Sequence, residues 1–149
     1  MSGSSPPLLV HFVTVPLLRA IGAHAVRCFP EECCGYLTDA GIVECTNAQA
    51  SGLHPTVPAR GAESGYVIAG AELIAFARSF DGPAPARVVY HSHTNGRAYF
   101  SDVDREVARG AGYPVHYLVI GVDAGGPTEA ALFDGGFVEI ARWPREMLR

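Results

Sequence analysis

The amino-acid sequence predicts an α/β (α+β) sandwich, in which a mixed β-sheet is flanked by helices. Its 149 residues suit one domain, and 48% hydrophobic with 17% charged residues is an ordinary composition for a folded chain. Segments with helical periodicity also alternate with segments typical of strands, which favours a sheet covered by helices. We therefore expect a single domain over residues 1–149, with its core between about 8 and 143.

The first third of the chain predicts a strand, a helix and a hairpin. The apolar run LLVHFVTV, Leu8 to Val15, is rich in branched residues and predicts a strand. Pro16 suits the first turn of the helix that follows, whose apolar residues recur at three- and four-residue steps as far as Cys28. The segment CCGYLTDAGIVECTN then predicts an antiparallel hairpin that turns at residues 39–41.

The remaining two thirds predict a long loop, two helices and four strands. Residues 48–64 are rich in Gly, Pro, Ser and Ala and indicate a surface loop. Helical spacing over Gly70 to Phe80 precedes the strand ARVVYHSH, and a further helix is expected to start at Ser101. The segments VHYLVIGV, EAALFDG and GFVEIARW predict the closing strands, with the last two joined at residues 134–136.

Charge and cysteine content restrict the class of protein. A formal net charge of -4 argues against a surface that binds nucleic acid phosphates. The first apolar run is too short and too mixed to span a bilayer, and no basic segment precedes it, so we expect a cytoplasmic protein that does not engage membranes. In a reducing compartment the four cysteines are expected to be buried thiols. They are Cys28, Cys33, Cys34 and Cys45.

A catalytic metal site is predicted from His91, His93 and Asp104. Two histidines two residues apart on a strand point to the same face, and Ser92 points to the other. Asp104 lies about one turn into the next predicted helix and can supply an oxygen ligand. Three protein ligands leave the fourth position of a zinc ion open for an activated water, as a hydrolase requires.

The activated water also needs a general base close to it. Glu32, just before the hairpin, is a candidate, although spacing alone does not favour it over Glu31. Ser101, three residues before Asp104, can stabilise a developing oxyanion from the helix N-terminus. Ser-x-x-Asp is also close to a capping box, in which both side chains only satisfy the first helical amides.

Two motifs together resemble a known family. The string HSHTNGRAYFSDVD is similar to the JAMM signature of the MPN-plus metalloproteases, and FPEECCGYL resembles their upstream Pro-x-Glu-x-x-Gly element, which puts the catalytic glutamate at Glu32. The resemblance implies the α/β sandwich shared with cytidine deaminases and one Zn²⁺ per chain. It also implies hydrolysis of a peptide or isopeptide bond after the C-terminal glycine of a ubiquitin-like protein.

Two departures from the eukaryotic pattern bear on the expected partner. Thr94 follows His93 where eukaryotic deubiquitinating members usually have proline, and the chain is too compact for their large insertions. Both features resemble bacterial hydrolases of sulfur-carrier proteins, so the expected partner is a ubiquitin-like or sulfur-carrier protein with a Gly-Gly tail. The leaving group stays open between an amino acid, a C-terminal extension and a conjugated protein.

The segment Tyr66-Val67-Ile68 is a candidate for binding that tail as an added strand. The alternative is that Tyr66 and Ile68 only pack inward from an edge strand.

Two other classes compete with the hydrolase. A non-catalytic MPN scaffold is possible, but scaffolds of this family typically lack the zinc ligands that this sequence keeps. A nucleobase deaminase would need His-x-Glu and Pro-Cys-x-x-Cys, and the sequence contains neither motif.

Overall fold

The structure is a computed structural model that describes residues 5–51 and 65–149. Its centre is a six-stranded sheet in the order β2-β1-β3-β4-β5-β6, in which β3 and β4 are parallel and every other pair is antiparallel. The elements are α1 (Ser5–Phe12), α2 (Val15–Cys28), β1 (Cys34–Thr38), β2 (Gly41–Cys45), α3 (Gly70–Ser79), β3 (Val88–His93), α4 (Asp102–Ala111), β4 (His116–Asp123), β5 (Gly126–Phe133) and β6 (Glu139–Pro144), with short 3₁₀ turns at Ala48–Ser51 and Arg145–Met147. This mixed sheet with helices confirms the predicted fold class.

Hydrophobic side chains cover both faces of the sheet. One core cluster, here called the α2 core cluster, packs residues of α2 such as Leu18 against even-numbered residues of β3 such as Tyr90. The other joins the odd-numbered Val89 to Phe76 of α3 and Ala108 of α4. Because β3 lies between these layers, all six of its residues are buried. A side chain at the end of β3 is therefore held in place by packing on both sides.

Most predicted elements are found close to their expected positions. The helix predicted after Pro16 runs from Val15 to Cys28, with Thr14 capping its first turn. The hairpin forms with Thr38 opposite Gly41, and the second and third helices and all four later strands are present. The predicted loop at 48–64 begins with a 3₁₀ turn, and its residues 52–64 lie outside the described residues. The four cysteines are free thiols, as expected, although only Cys33, Cys34 and Cys45 are buried and Cys28 is partly exposed.

The strand predicted at Leu8 to Val15 is wrong, because Leu8 to Phe12 belong to helix α1 and Val15 begins α2. A short apolar run satisfies a buried strand and a buried helix equally well. Two prolines also precede this run, and proline is well tolerated in the first turn of a helix. As a helix, the segment brings Val10 and Phe12 against the α2 core cluster. Among the described helices, none is both long and apolar enough to cross a membrane.

Candidate metal centre

The three predicted metal ligands meet where β3 ends and α4 begins. Nε2 of His91 lies 3.1 Å from Nε2 of His93. Oδ2 of Asp104 lies 3.2 Å from the first of these nitrogens and 3.1 Å from the second. All three side chains are buried, with His91 fully inaccessible. Within the described residues, they form a group that could hold a metal ion.

Local structure explains why these side chains converge. Residues two apart on a strand point to one face, so His91 and His93 both point to the side of the sheet that carries α4. Strand β3 pairs in parallel with β4, and α4 is the crossover between them, so α4 starts beside the C-terminal end of β3. Ligand sites in sheets of this kind typically lie outside the carboxyl ends of parallel strands.

The protonation of His93 fits a metal ligand. Its Nδ1 lies 3.2 Å from the carbonyl oxygen of Arg97, which can only accept, so Nδ1 carries the hydrogen. Burial lowers the pKa of His93 and favours the neutral ring, whose Nε2 then presents a lone pair. That lone pair faces a carboxylate oxygen and a second imidazole nitrogen, and a cation between them would satisfy all three.

The spacing of the three donor atoms also fits zinc. Ligands of a tetrahedral zinc ion, each about 2.0–2.1 Å from the metal, lie about 3.3 Å apart. The observed distances of 3.1–3.2 Å are close to this value. Two imidazoles and one carboxylate are also a donor set that catalytic zinc sites use. The residues present therefore fit the predicted Zn²⁺.

The Asp104 carboxylate is fixed by the helix that carries it. Ser101 is the N-cap of α4: its hydroxyl accepts the Asp104 N–H, and its own N–H donates to Asp104 Oδ2, both at 3.0 Å. The capping box considered from the sequence is therefore present, and it orients the oxygen that faces the histidines. Burial by itself would raise the pKa of Asp104, but its close contact with the imidazoles of His91 and His93 holds the pKa well below its usual range.

Backbone register brings Glu32 to the same place. Cys34 is paired with His91, and Cys33 and Ser92 are joined by two hydrogen bonds, from the Cys33 N–H to Ser92 Oγ and from the Ser92 N–H to the Cys33 carbonyl. The paired register ends at Cys34, and Glu32 lies two residues beyond it, on the side of the sheet edge where β3 ends at His93. Glu32 is buried, whereas Glu31 is exposed, so the structure separates two residues that spacing could not.

The candidate tail-binding segment lies against the metal ligands. The Tyr66 ring stacks on the His91 ring, with 4.5 Å between centroids. Burial raises the pKa of Tyr66, and the negative charges of Asp104 and Glu32 raise it further. Tyr66 and Ile68 pack against the second core cluster, as the inward-packing alternative expects. The segment is not a regular strand.

Hydrogen bonds tie the middle of this segment to the chain that follows β2. The Val67 carbonyl accepts the Ala48 N–H at 2.8 Å, and the Val67 N–H donates to Asn47 Oδ1 at 3.1 Å. Asn47 also donates to the Glu32 carbonyl at 2.9 Å. One side chain therefore links the tail-binding candidate to the residue predicted as general base. Sequence reasoning missed Asn47, which carried no local motif.

Two cavities are each lined by an aromatic residue that contacts a metal ligand. A cavity of about 220 Å³ is lined by Tyr66, Val67, Ile68 and apolar residues of α3, α4 and the sheet, including Phe76 and Tyr117. A second, more polar cavity of about 600 Å³ includes Tyr99, whose ring packs edge-on to His93 at 4.6 Å. The first cavity thus reaches His91 through Tyr66, and the second reaches His93 through Tyr99.

The fold and this centre define a class: an α+β domain with a His-His-Asp arrangement suited to a metal. The chain belongs to the family described as prokaryotic homologs of the JAB domain, whose profile matches residues 14–133. This confirms the resemblance to the JAMM/MPN family. No curated protein matches the chain.

Two solved structures are similar to the chain. A solution structure of a protein from Desulfitobacterium hafniense has a TM-score of 0.51 at 20% identity, over 85% of this chain and 86% of that one. A solution structure from Salinibacter ruber has a TM-score of 0.47 at 22% identity, over 90% and 88% of the two chains. At these identities the first similarity supports the fold alone.

Proposed function

We propose that this protein is a zinc-dependent peptidase that cleaves the peptide or isopeptide bond after the C-terminal glycine of a ubiquitin-like or sulfur-carrier protein. The observation that carries the proposal is the convergence of two Nε2 atoms and one carboxylate oxygen within 3.2 Å, with the buried Glu32 two residues before Cys34, the residue that pairs with His91. Membership of the JAB family supports the same class of enzyme.

Glu32 and Ser101 have separate roles in the proposed reaction. Bound zinc would supply an acidified water and polarise the scissile carbonyl. Glu32 takes a proton from the attacking water and passes it to the departing amine, which converts the amide and water into a carboxylate and a free amine. The Ser101 hydroxyl accepts the Asp104 N–H and keeps its own hydrogen to donate to the developing oxyanion.

The surroundings of the donors support a glycine tail. Tyr66 lies on His91 and Tyr99 lies against His93, so two aromatic rings flank the ligands, which favours a residue without a side chain at the scissile bond. Alternate residues of an extended segment present their backbone groups to opposite edges. Because Val67 is bonded toward Asn47 and Ala48, we place the tail on the other edge, beside Tyr66 and Ile68. The apolar cavity there can receive an apolar side chain upstream of the glycines.

The sulfur-carrier class, the bacterial type of enzyme and the cytoplasmic location are supported by sequence features. Thr94 after His93 supports the first two, and the four free thiols support the location. These features do not distinguish among three leaving groups: a single amino acid, a short C-terminal extension and a conjugated protein.

Zinc content and cleavage test the proposal together. The substrate is a Gly-Gly-ending carrier extended at its C-terminus, and mass spectrometry identifies the bond that is cut. We expect about one zinc per chain and cleavage after the terminal glycine for the wild type. Glu32→Gln should keep zinc and lose about 10²–10⁴-fold in kcat, because the proton carrier is removed. His91→Ala should lose zinc as well.

Glu31→Gln is the matched control, because Glu31 is the exposed neighbour of the buried Glu32. It should keep both zinc and activity. Zinc binding without cleavage of any extended carrier would refute the assigned reaction and keep the metal site. A wild type that binds no zinc would favour the non-catalytic scaffold.

A further inference from the structure

We infer that an ion pair outside the motif, Glu129 with Arg142, positions the metal ligand His93 by clamping the loop that follows it. The inference rests on the metal site of the proposed function. It does not depend on the substrate. Glu129 and Arg142 are positioning residues, since they act on His93 through the backbone of residues 96–98.

The link between loop and ligand is the Arg97 carbonyl. It accepts the hydrogen on His93 Nδ1 at 3.2 Å, and this fixes both the ring orientation and the tautomer that leaves Nε2 open to a metal. Arg97 itself lies in an exposed loop with Gly96 before it, so its carbonyl has no helix or strand to hold it in position. The position of this carbonyl must come from other contacts of the loop.

Side chains of β5 and β6 provide those contacts. Glu129 Oε2 accepts the Ala98 N–H at 2.8 Å, and Arg142 Nη2 donates to the Ala98 carbonyl at 2.8 Å. Thr128 Oγ1 donates to the Gly96 carbonyl at 2.6 Å. The backbone is thus held on both sides of the Arg97 carbonyl. Ala98 is buried beneath these bonds.

The two clamping side chains are joined to each other. Arg142 Nη1 lies 3.0 Å from Glu129 Oε1, and the same guanidinium makes two bonds to Glu139, at 2.8 and 3.1 Å. Glu129 therefore contacts both the loop and Arg142. Within the described residues, Glu139 bonds Arg142 and makes no hydrogen bond to residues 96–98. This difference makes Glu139 a matched control.

Sheet register explains how residues so distant in sequence reach the loop. His93 on β3 is paired with Gly121 on β4, and Gly121 is paired with Glu129 on β5, so the three lie in one row across the sheet. A Cβ at Gly121 would lie 2.6 Å from Thr128 Oγ1 and 2.7 Å from both the carbonyl carbon and the oxygen of Gly96. The missing side chain lets the loop fold over β4 and meet Glu129.

The test measures the metal site directly, without substrate. Zinc affinity by competition with a chromophoric chelator and the visible spectrum of the cobalt-loaded protein are compared for wild type, Glu129→Ala, Arg142→Ala and Glu139→Ala. We expect the first two variants to bind zinc more weakly and to have altered cobalt spectra, with a loss of at most the roughly 10–100-fold that removal of a direct partner of the ligand costs. Glu139→Ala should stay within about twofold of the wild type, a change too small to indicate a lost outer-shell partner.

Two further variants separate clamping from general damage to the sheet. The double variant Glu129→Ala/Arg142→Ala should have about the zinc affinity of whichever single variant binds zinc more weakly, because both side chains act on the same loop. Gly121→Ala should weaken zinc binding with the ion pair intact, because its Cβ displaces Gly96. Both side chains of the ion pair are partly exposed, so folding should survive their removal.

A second readout needs no metal. Long-range ¹H–¹⁵N correlation on the metal-free protein should show His93 with its hydrogen on Nδ1 in the wild type and a mixture of tautomers in Glu129→Ala. Wild-type zinc affinity and tautomer in Glu129→Ala and Arg142→Ala would overturn the inference. An equal loss in Glu139→Ala would also overturn it, since the pair would then only hold β5 to β6. Failure of carrier cleavage leaves both readouts unchanged, and so the two proposals can fail separately.

Discussion

At the scale of single residues, Ser101 has two roles that one substitution can separate. Its hydroxyl caps α4 at Asp104, and in the proposed reaction it also donates to the oxyanion. Ser101→Ala should cost about 1 kcal/mol of stability for the lost cap. It should also lower kcat by about 10²–10³-fold with little change in KM, because the oxyanion contact forms only in the transition state.

Ser101→Thr is the control, because threonine keeps a hydroxyl at the cap. It should restore most of the stability and of kcat. Thermal unfolding and steady-state kinetics give the two numbers. If Ser101→Ala loses stability and keeps kcat, Ser101 is a helix cap only.

The predictability of the site differs from residue to residue. His91 and His93 follow from strand parity, and Asp104 follows from its place in the first turn of α4, since both depend on local geometry. Glu32 needed the family motif or the pairing of β1 with β3, because Glu31 has the same local spacing. Glu129 and Arg142 reach Ala98 from 31 and 44 residues away, and no local pattern marks them.

At the scale of elements, helices and strands with clear periodicity were predictable, and the first apolar run was not. Helix α2 and the hairpin carry turn and cap residues that define their ends, including Thr14 and residues 39–41. The run at Leu8 lacks such a signal at its apolar end, and its structure is decided by packing on the α2 cluster. Tertiary contacts override local preference in such segments.

The segment around Val67 gives a prediction about substrate binding. We expect Ile68→Pro to weaken binding of a Gly-Gly carrier, because it removes an N–H on the edge opposite the Asn47 contact. One lost main-chain hydrogen bond corresponds to about 2–10-fold in Kd. Binding is measured by titration in the Glu32→Gln background, where the carrier is not cut.

Ile68→Ala is the matched control, because it also shortens the side chain and keeps the N–H. A specific role for main-chain pairing requires Ile68→Pro to bind more weakly than Ile68→Ala. Equal affinities would support the reading in which Ile68 only packs into the core.

At the scale of the whole molecule, two layers pack on one sheet, and buried titratable groups couple the stability of that packing to pH. His24 of α2 is an example on the face away from the metal centre. Its Nδ1 lies 2.6 Å from the Tyr90 hydroxyl, inside the α2 core cluster. Burial lowers the pKa of His24 below its usual 6.5; nearby Glu44 opposes this shift and Arg27 adds to it.

This shift fixes the sign of a pH effect. Below about pH 6.5 the unfolded chain takes a proton at this position more readily than the folded chain, so the unfolded state is favoured as pH falls. We expect the free energy of unfolding of the wild type to fall between pH 7 and pH 5, with His24 adding at most about 1.4 kcal/mol per pH unit. His24→Gln should be less stable at pH 7, because it disturbs the Tyr90 contact, and it should show a shallower pH slope.

The measurement is urea unfolding at several pH values with a chelator present, for wild type and His24→Gln. Every other titratable group is the same in both proteins, so its effect cancels in the difference between the two curves. A difference in the free energy of unfolding that shrinks as pH falls would locate a pH-sensitive group in the α2 layer, on the opposite face of the sheet from the metal centre. Parallel curves would contradict the lowered pKa of His24 and would leave the pH dependence to the cluster around His93, whose pKa is also lowered by burial.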